Sequence, residues 1–193
     1  MKPRQLFDKL ADQVSALSTL GQAQETQGQI ESSASIYRAC IVLSVSALDA
    51  YMHEKAAEAF LIAIRQGASA TNASIDSYLQ IQSSLFNQTQ LASSVRYRLS
   101  FKTLVTPQAI DKAIDASGSD ARAVWRAIGE ARGSRESRLR NMLDLQVDRR
   151  NQIAHEADWD PAQLAFRRIS LDHVTDCTEC ITSVVHNLDA CWI

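Results

Sequence analysis

The sequence predicts an all-α protein, an antiparallel helical bundle with short inserted helices. Three observations carry that expectation. Breakers are scarce, with six Gly and three Pro in 193 residues. Ala, Leu, Ser, Gln and Arg are common, and apolar residues recur at steps of three and four. Aromatic residues make up 6% of the chain, too few for a sheet that depends on aromatic and β-branched pairs. With 46% hydrophobic residues, the chain can fill one sizeable core, and its length suits one domain.

A first amphipathic helix is expected over 4–20, with Leu6, Leu10, Val14 and Leu17 on one stripe. The polar stretch from Gly21 to Gly28 predicts a loop or turn. From Ile30 the period is clearest: Ala34, Tyr37, Ile41, Val45, Leu48, Met52, Ala59 and Ala63 follow. This long helix reads as a central scaffold ending near Gly67, a plausible C-cap. Small residues from 67 to 74 predict a loop, with Ser74 capping a helix that starts at Ile75. Helical pattern then continues, broken near Asn87, to about Val105. Thr106-Pro107 is a cap followed by Pro, so a short helix should run to Gly118. Ser119 is expected to cap another, ending near Gly129 or Gly133. The next helix should span Ser134 to Glu156, stopped by Asp158-Trp159-Asp160-Pro161. Ser170 should cap a last helix, Leu171 to about Trp192, with Val174, Cys177, Ile181, Val184, Leu188 and Cys191 on its stripe. The whole chain reads as one helical domain, 1–193, with a core over about 30–192 and short helices inserted at about 106–133.

The net charge is −2, which excludes a global basic field; any nucleic-acid contact must come from a local patch. The N-terminus has no apolar core of signal-peptide type. The most apolar run, Ala39 to Leu48, ends at Asp49 and is too short for a membrane crossing. A cytoplasmic location without membrane contact is expected. Cys40, Cys177, Cys180 and Cys191 are then expected as free thiols.

The segment Arg149-Arg150-Asn151-Gln152-Ile153-Ala154-His155-Glu156 carries the most chemistry. Leu143, Val147, Arg150 and Ala154 are spaced four, three and four, so Arg150 falls on the apolar stripe. A charge there must be paired or lie in a cleft. Asn151 and His155 are one turn apart beside that stripe. Arg150 sits about 140° round the helix from His155, within reach of its long side chain. Histidine exchanges a proton near neutral pH, arginine holds a phosphate with two parallel hydrogen bonds, and an amide orients or donates. The trio could therefore cut RNA without a metal. The alternative is a structural arginine–carboxylate pair beside a helix-end histidine.

This R-N-x-x-x-H string, late in a helical chain, resembles the catalytic motif of HEPN domains. Two segments narrow the resemblance to the bacterial RiboL-PSP-HEPN subgroup. One runs from Leu43 to Glu54 on the long helix and contains Asp49, Tyr51 and His53; the other runs from Asp148 to Asp158. The resemblance covers about residues 35–190. It implies a metal-independent endoribonuclease that leaves a 2′,3′-cyclic phosphate and a 5′-hydroxyl, acting as a toxin or phage-defence effector. Arg150 and His155 map onto the catalytic pair and Asn151 onto the polar residue after the arginine. Arg149 also fits a looser spacing. A homodimer with a composite site is implied, as is restraint by an antitoxin or other regulatory partner. The other function open to such a bundle is an idle nucleotide- or RNA-binding or protein-interaction module.

Asp49 and His53 lie one turn apart on the long helix. Asp49 either orients Arg150 or His155 across the helix pair, or forms a solvent-facing pair with His53; Glu54 is a weaker version of the same idea. Arginines from 132 to 150, among them Arg138 and Arg140, suggest a phosphate track to the motif, or an ordinary solvated face. No aromatic interleaving of the base-stacking sort is evident, although Trp125 and Trp159 lie nearby in sequence. Cys177 and Cys180 form a lone C-x-x-C, and a zinc site would need two more ligands. Core packing is the better account of them. No metal and no cofactor are expected.

Overall fold

The architecture grows out of one long helix. In the computed structural model, which describes residues 1–192, α2 spans Ile30–Gln66 and contacts α1, α4, α7 and α8. Its apolar residues occur all the way round, which suits a helix packed on several sides. Leu48, Tyr51, Met52, Ala56 and Phe60 are wholly buried. Burial of each large apolar side chain stabilises the fold by roughly 1.5–3 kcal/mol. By length and composition alone α2 also meets the requirement for a membrane crossing, which the short run Ala39–Leu48 had not suggested. Gly67 ends α2 in the left-handed conformation, φ 77°, as expected of a glycine C-cap.

α1 (Pro3–Thr26) lies along α2, with Phe7, Val14 and Gly21 buried at steps of seven. It therefore belongs to the core, which begins earlier than residue 30. Its helix also continues through Gly21, where a loop was expected. A Cβ built on Gly21 would meet the Tyr37 ring at 2.7 Å, so this glycine permits close helix contact and does not break the helix.

Four short helices fill the space between α2 and the motif helix: α3 (Ser69–Leu79), α4 (Gln88–Leu99), α5 (Pro107–Ala116) and α6 (Ala121–Ala131). The insertion thus starts at 69, well before 106. α3 begins five residues ahead of the expected Ser74 cap, which leaves Ser74 inside the helix. Asn87 caps α4 through a 3.0 Å bond from Gln90 N, and Thr106 caps α5 through a 3.2 Å bond from Ala109 N. α6 is capped by Asp120, which accepts from Arg122 N and Ala123 N, and not by Ser119. Trp125 on α6 and Trp192 beyond the last helix are both fully buried.

α7 (Glu136–Glu156) packs on α2, α5, α6 and α8, and α8 (Leu171–Cys191) closes the bundle against α1, α2 and α6. The connection between α7 and α8 holds an unexpected feature. Trp159–Asp160 (β1) and Ala165–Phe166 (β2) pair as an antiparallel hairpin, Trp159 opposite Phe166. Two-residue strands are too short to show alternation in sequence.

Candidate functional site

The last turns of α7 present the motif. Leu139, Leu143 and Val147 are buried and fix which side of α7 faces the core. Arg150, three residues after Val147, continues that side and is half-buried. Its Nε is buried and finds no hydrogen-bond partner among the described residues. Neither Arg150 nor His155 enters an ion pair among the described residues. Asn151 is half-buried, and His155 is exposed in the last turn.

Arg149 is placed quite differently. Its two Nη atoms grip both oxygens of Asp158, with Nη2 at 2.9 Å from Oδ2. It also donates to Gln152 Oε1 at 3.3 Å and to the Arg168 carbonyl at 3.4 Å. Asp158 is 0% exposed, and a second guanidinium, that of Arg38 on α2, reaches it at 2.6 Å. Arg38 further donates to the Arg167 carbonyl at 2.9 Å. One buried carboxylate thus joins α2, the end of α7 and, through its two arginines, the segment leading to α8. Two arginines and the Arg167 carbonyl satisfy this cluster, as a buried charge requires. Arg149 therefore has the partners that Arg150 lacks.

The chain turns sharply here. Ala157 and Asp158 have φ of 51° and 60°, in the left-handed region, and Asp158 N donates back to Gln152 O at 3.1 Å. Ala157 N donates to the same carbonyl, so the left-handed turn satisfies a carbonyl that the helix end leaves free. Asp tolerates this conformation; Ala does so only with strain. Arg38 and Asp158 were not singled out as site residues from sequence. They are 120 positions apart, so spacing could not link them.

The supporting residues on α2 turn to other tasks. Asp49 accepts from Leu104 N at 2.7 Å, and His53 Nε2 donates to the Lys102 carbonyl at 2.8 Å. Both therefore fasten the loop before α5; the expected contact of Asp49 with Arg150 or His155 is not formed, nor is the Asp49–His53 pair. Glu54 takes Arg96 of α4, with Nη2 at 3.0 Å.

The arginine track also divides. Arg138 is exposed, whereas Arg140 is bound through both Nη atoms to Asp111 and lies 5.1 Å from the Trp125 ring centroid. The Asp111 carboxylate raises the Arg140 pKa, with Glu136 adding to the effect. Arg138 stands 17 residues before His155, about 26 Å along the helix axis. Nearer the motif, Asp144 and Asp148 precede Asn151 and His155 at steps of four, three and four. Burial, and then the charge of Asp148, hold the Asp144 carboxyl above its ordinary range. This flank of α7 is acidic.

Cys177 and Cys180 are buried, and burial raises the thiol of Cys177 to about 12 and that of Cys180 to about 11. No group of three or more His, Cys, Asp or Glu converges as a metal site among the described residues. A groove of about 410 Å³ between α1, α2 and α8 contains none of the motif residues.

No curated protein matches the chain, and no solved structure matches it. The profile of the RiboL-PSP-HEPN family matches residues 8–191, from the first turns of α1 to the end of α8 and across the motif helix. The chain therefore belongs to the RiboL-PSP-HEPN family, a HEPN assignment that points to a ribonuclease or nucleotide-binding module.

Proposed function

We propose that this protein is a metal-independent endoribonuclease whose catalytic residues are Arg150, Asn151 and His155. One observation carries this: a guanidinium on the core-facing side of α7 has a buried N–H without a partner among the described residues, while its neighbour Arg149 is bound to Asp158 through both Nη atoms. A charge so placed calls for an anion, and a phosphodiester supplies one. His155 takes the proton from a ribose 2′-hydroxyl. The freed oxygen attacks phosphorus, the bond to the 5′-oxygen breaks, and that oxygen takes a proton from an acid. The products are a 2′,3′-cyclic phosphate and a 5′-hydroxyl. Arg150 holds the charge that grows on the phosphoryl oxygens, and Asn151 donates to one of them or steadies His155.

A single histidine cannot be base and acid in the same step. The second is supplied by His155 of another copy, so the working form is a homodimer with a composite site. The protein acts in the cytoplasm as a toxin or phage-defence effector, restrained by an antitoxin or another regulatory partner. A second function, an idle HEPN bundle that binds nucleotide, RNA or protein, is favoured by one fact. His155 is exposed and has no carboxylate partner to orient it among the described residues.

The test uses the full chain, His155→Ala and Arg150→Ala, with single-stranded and structured RNAs and a chelator present. Cleavage should fall by about 10²–10⁴ in His155→Ala. The 3′ ends should map as cyclic phosphates. Equal cleavage by all three proteins, or none by the unmodified chain under any condition, sinks the nuclease in favour of the binding module.

A further inference from the structure

The hairpin after the motif helix is built for a contact that the bundle itself does not use. Trp159 and Phe166 oppose each other across it, ring centroids 5.4 Å apart at 84°. Phe166 is 62% exposed and Trp159 39%, although the other two tryptophans are fully buried. The hairpin is also held rigidly. Arg167 donates from Nη1 to the Trp159 carbonyl at 2.7 Å and pairs with Glu156 at 3.0 Å. Its backbone N–H donates to the Asp158 carbonyl at 2.9 Å. Glu156 adjoins His155, so the residue after Phe166 is fastened to the very turn that carries the histidine. Trp159 is four positions after His155, a span of at most about 14 Å.

Charge distinguishes the two directions in which a polynucleotide could leave the motif. Back along α7 lie Asp144 and Asp148, and the cation at Arg140 is already spent on Asp111. Towards the hairpin, Arg168 is exposed and enters no ion pair among the described residues, while Arg38, 5.4 Å from the Phe166 ring centroid, is bound to Asp158. An exposed aromatic ring two residues from an exposed arginine, next to a phosphate site, has the character of a base-stacking platform.

We propose that the hairpin stacks an unpaired nucleobase of the RNA on Phe166, with Trp159 supporting that ring, while the neighbouring phosphodiester rests at Arg150. The proposal rests on the RNA-cleaving function of Arg150 and His155 and narrows its substrate class to single-stranded RNA, since a paired base cannot leave its duplex to stack without cost.

Trp159 provides the reporter. In full-length His155→Ala, which binds without cutting, titration with a single-stranded RNA should change tryptophan fluorescence and its quenching by iodide. Phe166→Ala in that background should weaken binding about 5- to 100-fold, and Phe166→Tyr should restore it. Phe101→Ala removes another exposed ring, in the turn after α4, and should leave affinity unchanged. Equal affinity with and without Phe166, equal loss on a duplex of the same length, or no binding of any RNA overturns the platform. So does a change of oligomeric state with RNA affinity intact, which makes the hairpin a protein contact. If Phe166→Ala weakens binding but the unmodified chain never cuts the RNA, the platform stands and the nuclease function falls.

Discussion

Asp158 decides which of two adjacent arginines is available. Its carboxylate binds Arg149 and Arg38, and it leaves Arg150 as the one with an unsatisfied N–H. Removing one partner of a buried charge cluster costs several kcal/mol, because the remaining charges lose their compensation. The two arginines retain some exposure, which moderates the cost. Asp158→Ala should therefore lose about 3 kcal/mol of stability, read as a drop in the urea midpoint with an unchanged slope. A loss below about 1 kcal/mol would show that the cluster is incidental. Arg150 could be placed from sequence because three apolar positions before it fix the inward side of α7. Arg149 could not be excluded, because its acceptor lies across a turn that only the folded chain makes. The sequence likewise put Asp49 and His53 on one face of α2 but could not show that the loop at 102–104 would occupy them.

At the level of elements, the helices legible in advance were those with chemical punctuation: Gly67 after α2, Thr106-Pro107 before α5, Ser170 before α8. Errors fell where a residue has two physical uses. Gly21 looked like a break, yet it lets Tyr37 pack closely, and Tyr37 is tied back by a 2.7 Å bond from its hydroxyl to Glu25. Gly21→Ala gains about 1 kcal/mol of helix propensity but forces a methyl group into that ring. A net destabilisation of about 1–2 kcal/mol is expected from thermal melting; a rise in Tm would mean that α1 can shift on α2 at no cost. The hairpin escaped notice for a different reason. Its strands are two residues long, and its pairing follows from the Asp158 turn and not from any alternation of its own.

For the whole molecule, the buried thiols set an alkaline limit. Burial raises Cys40 and Cys180 to about 11 and Cys177 to about 12, from an ordinary value of 9.0. A thiol whose folded pKa is raised gives stability that is complete below pH 9 and is lost as pH climbs through about 11 to 12. Unfolding free energy should therefore fall between pH 9 and pH 11. At pH 8 a thiol reagent should modify the half-exposed Cys191 well before the other three. Flat stability across that interval, or four equally fast thiols, would contradict the burial. The Asp158 cluster has a last consequence, in time rather than space. Arg38 bonds to Asp158 and to the Arg167 carbonyl, partners 120 and 129 positions away. Closing loops of that length is slow compared with forming a helix. On a ribosome, α2 and much of α7 can coil before residue 167 has emerged, but the clasp on the end of α7 cannot close. A growing chain therefore carries the motif before it carries the assembled site, and assembly waits until residue 167 has emerged.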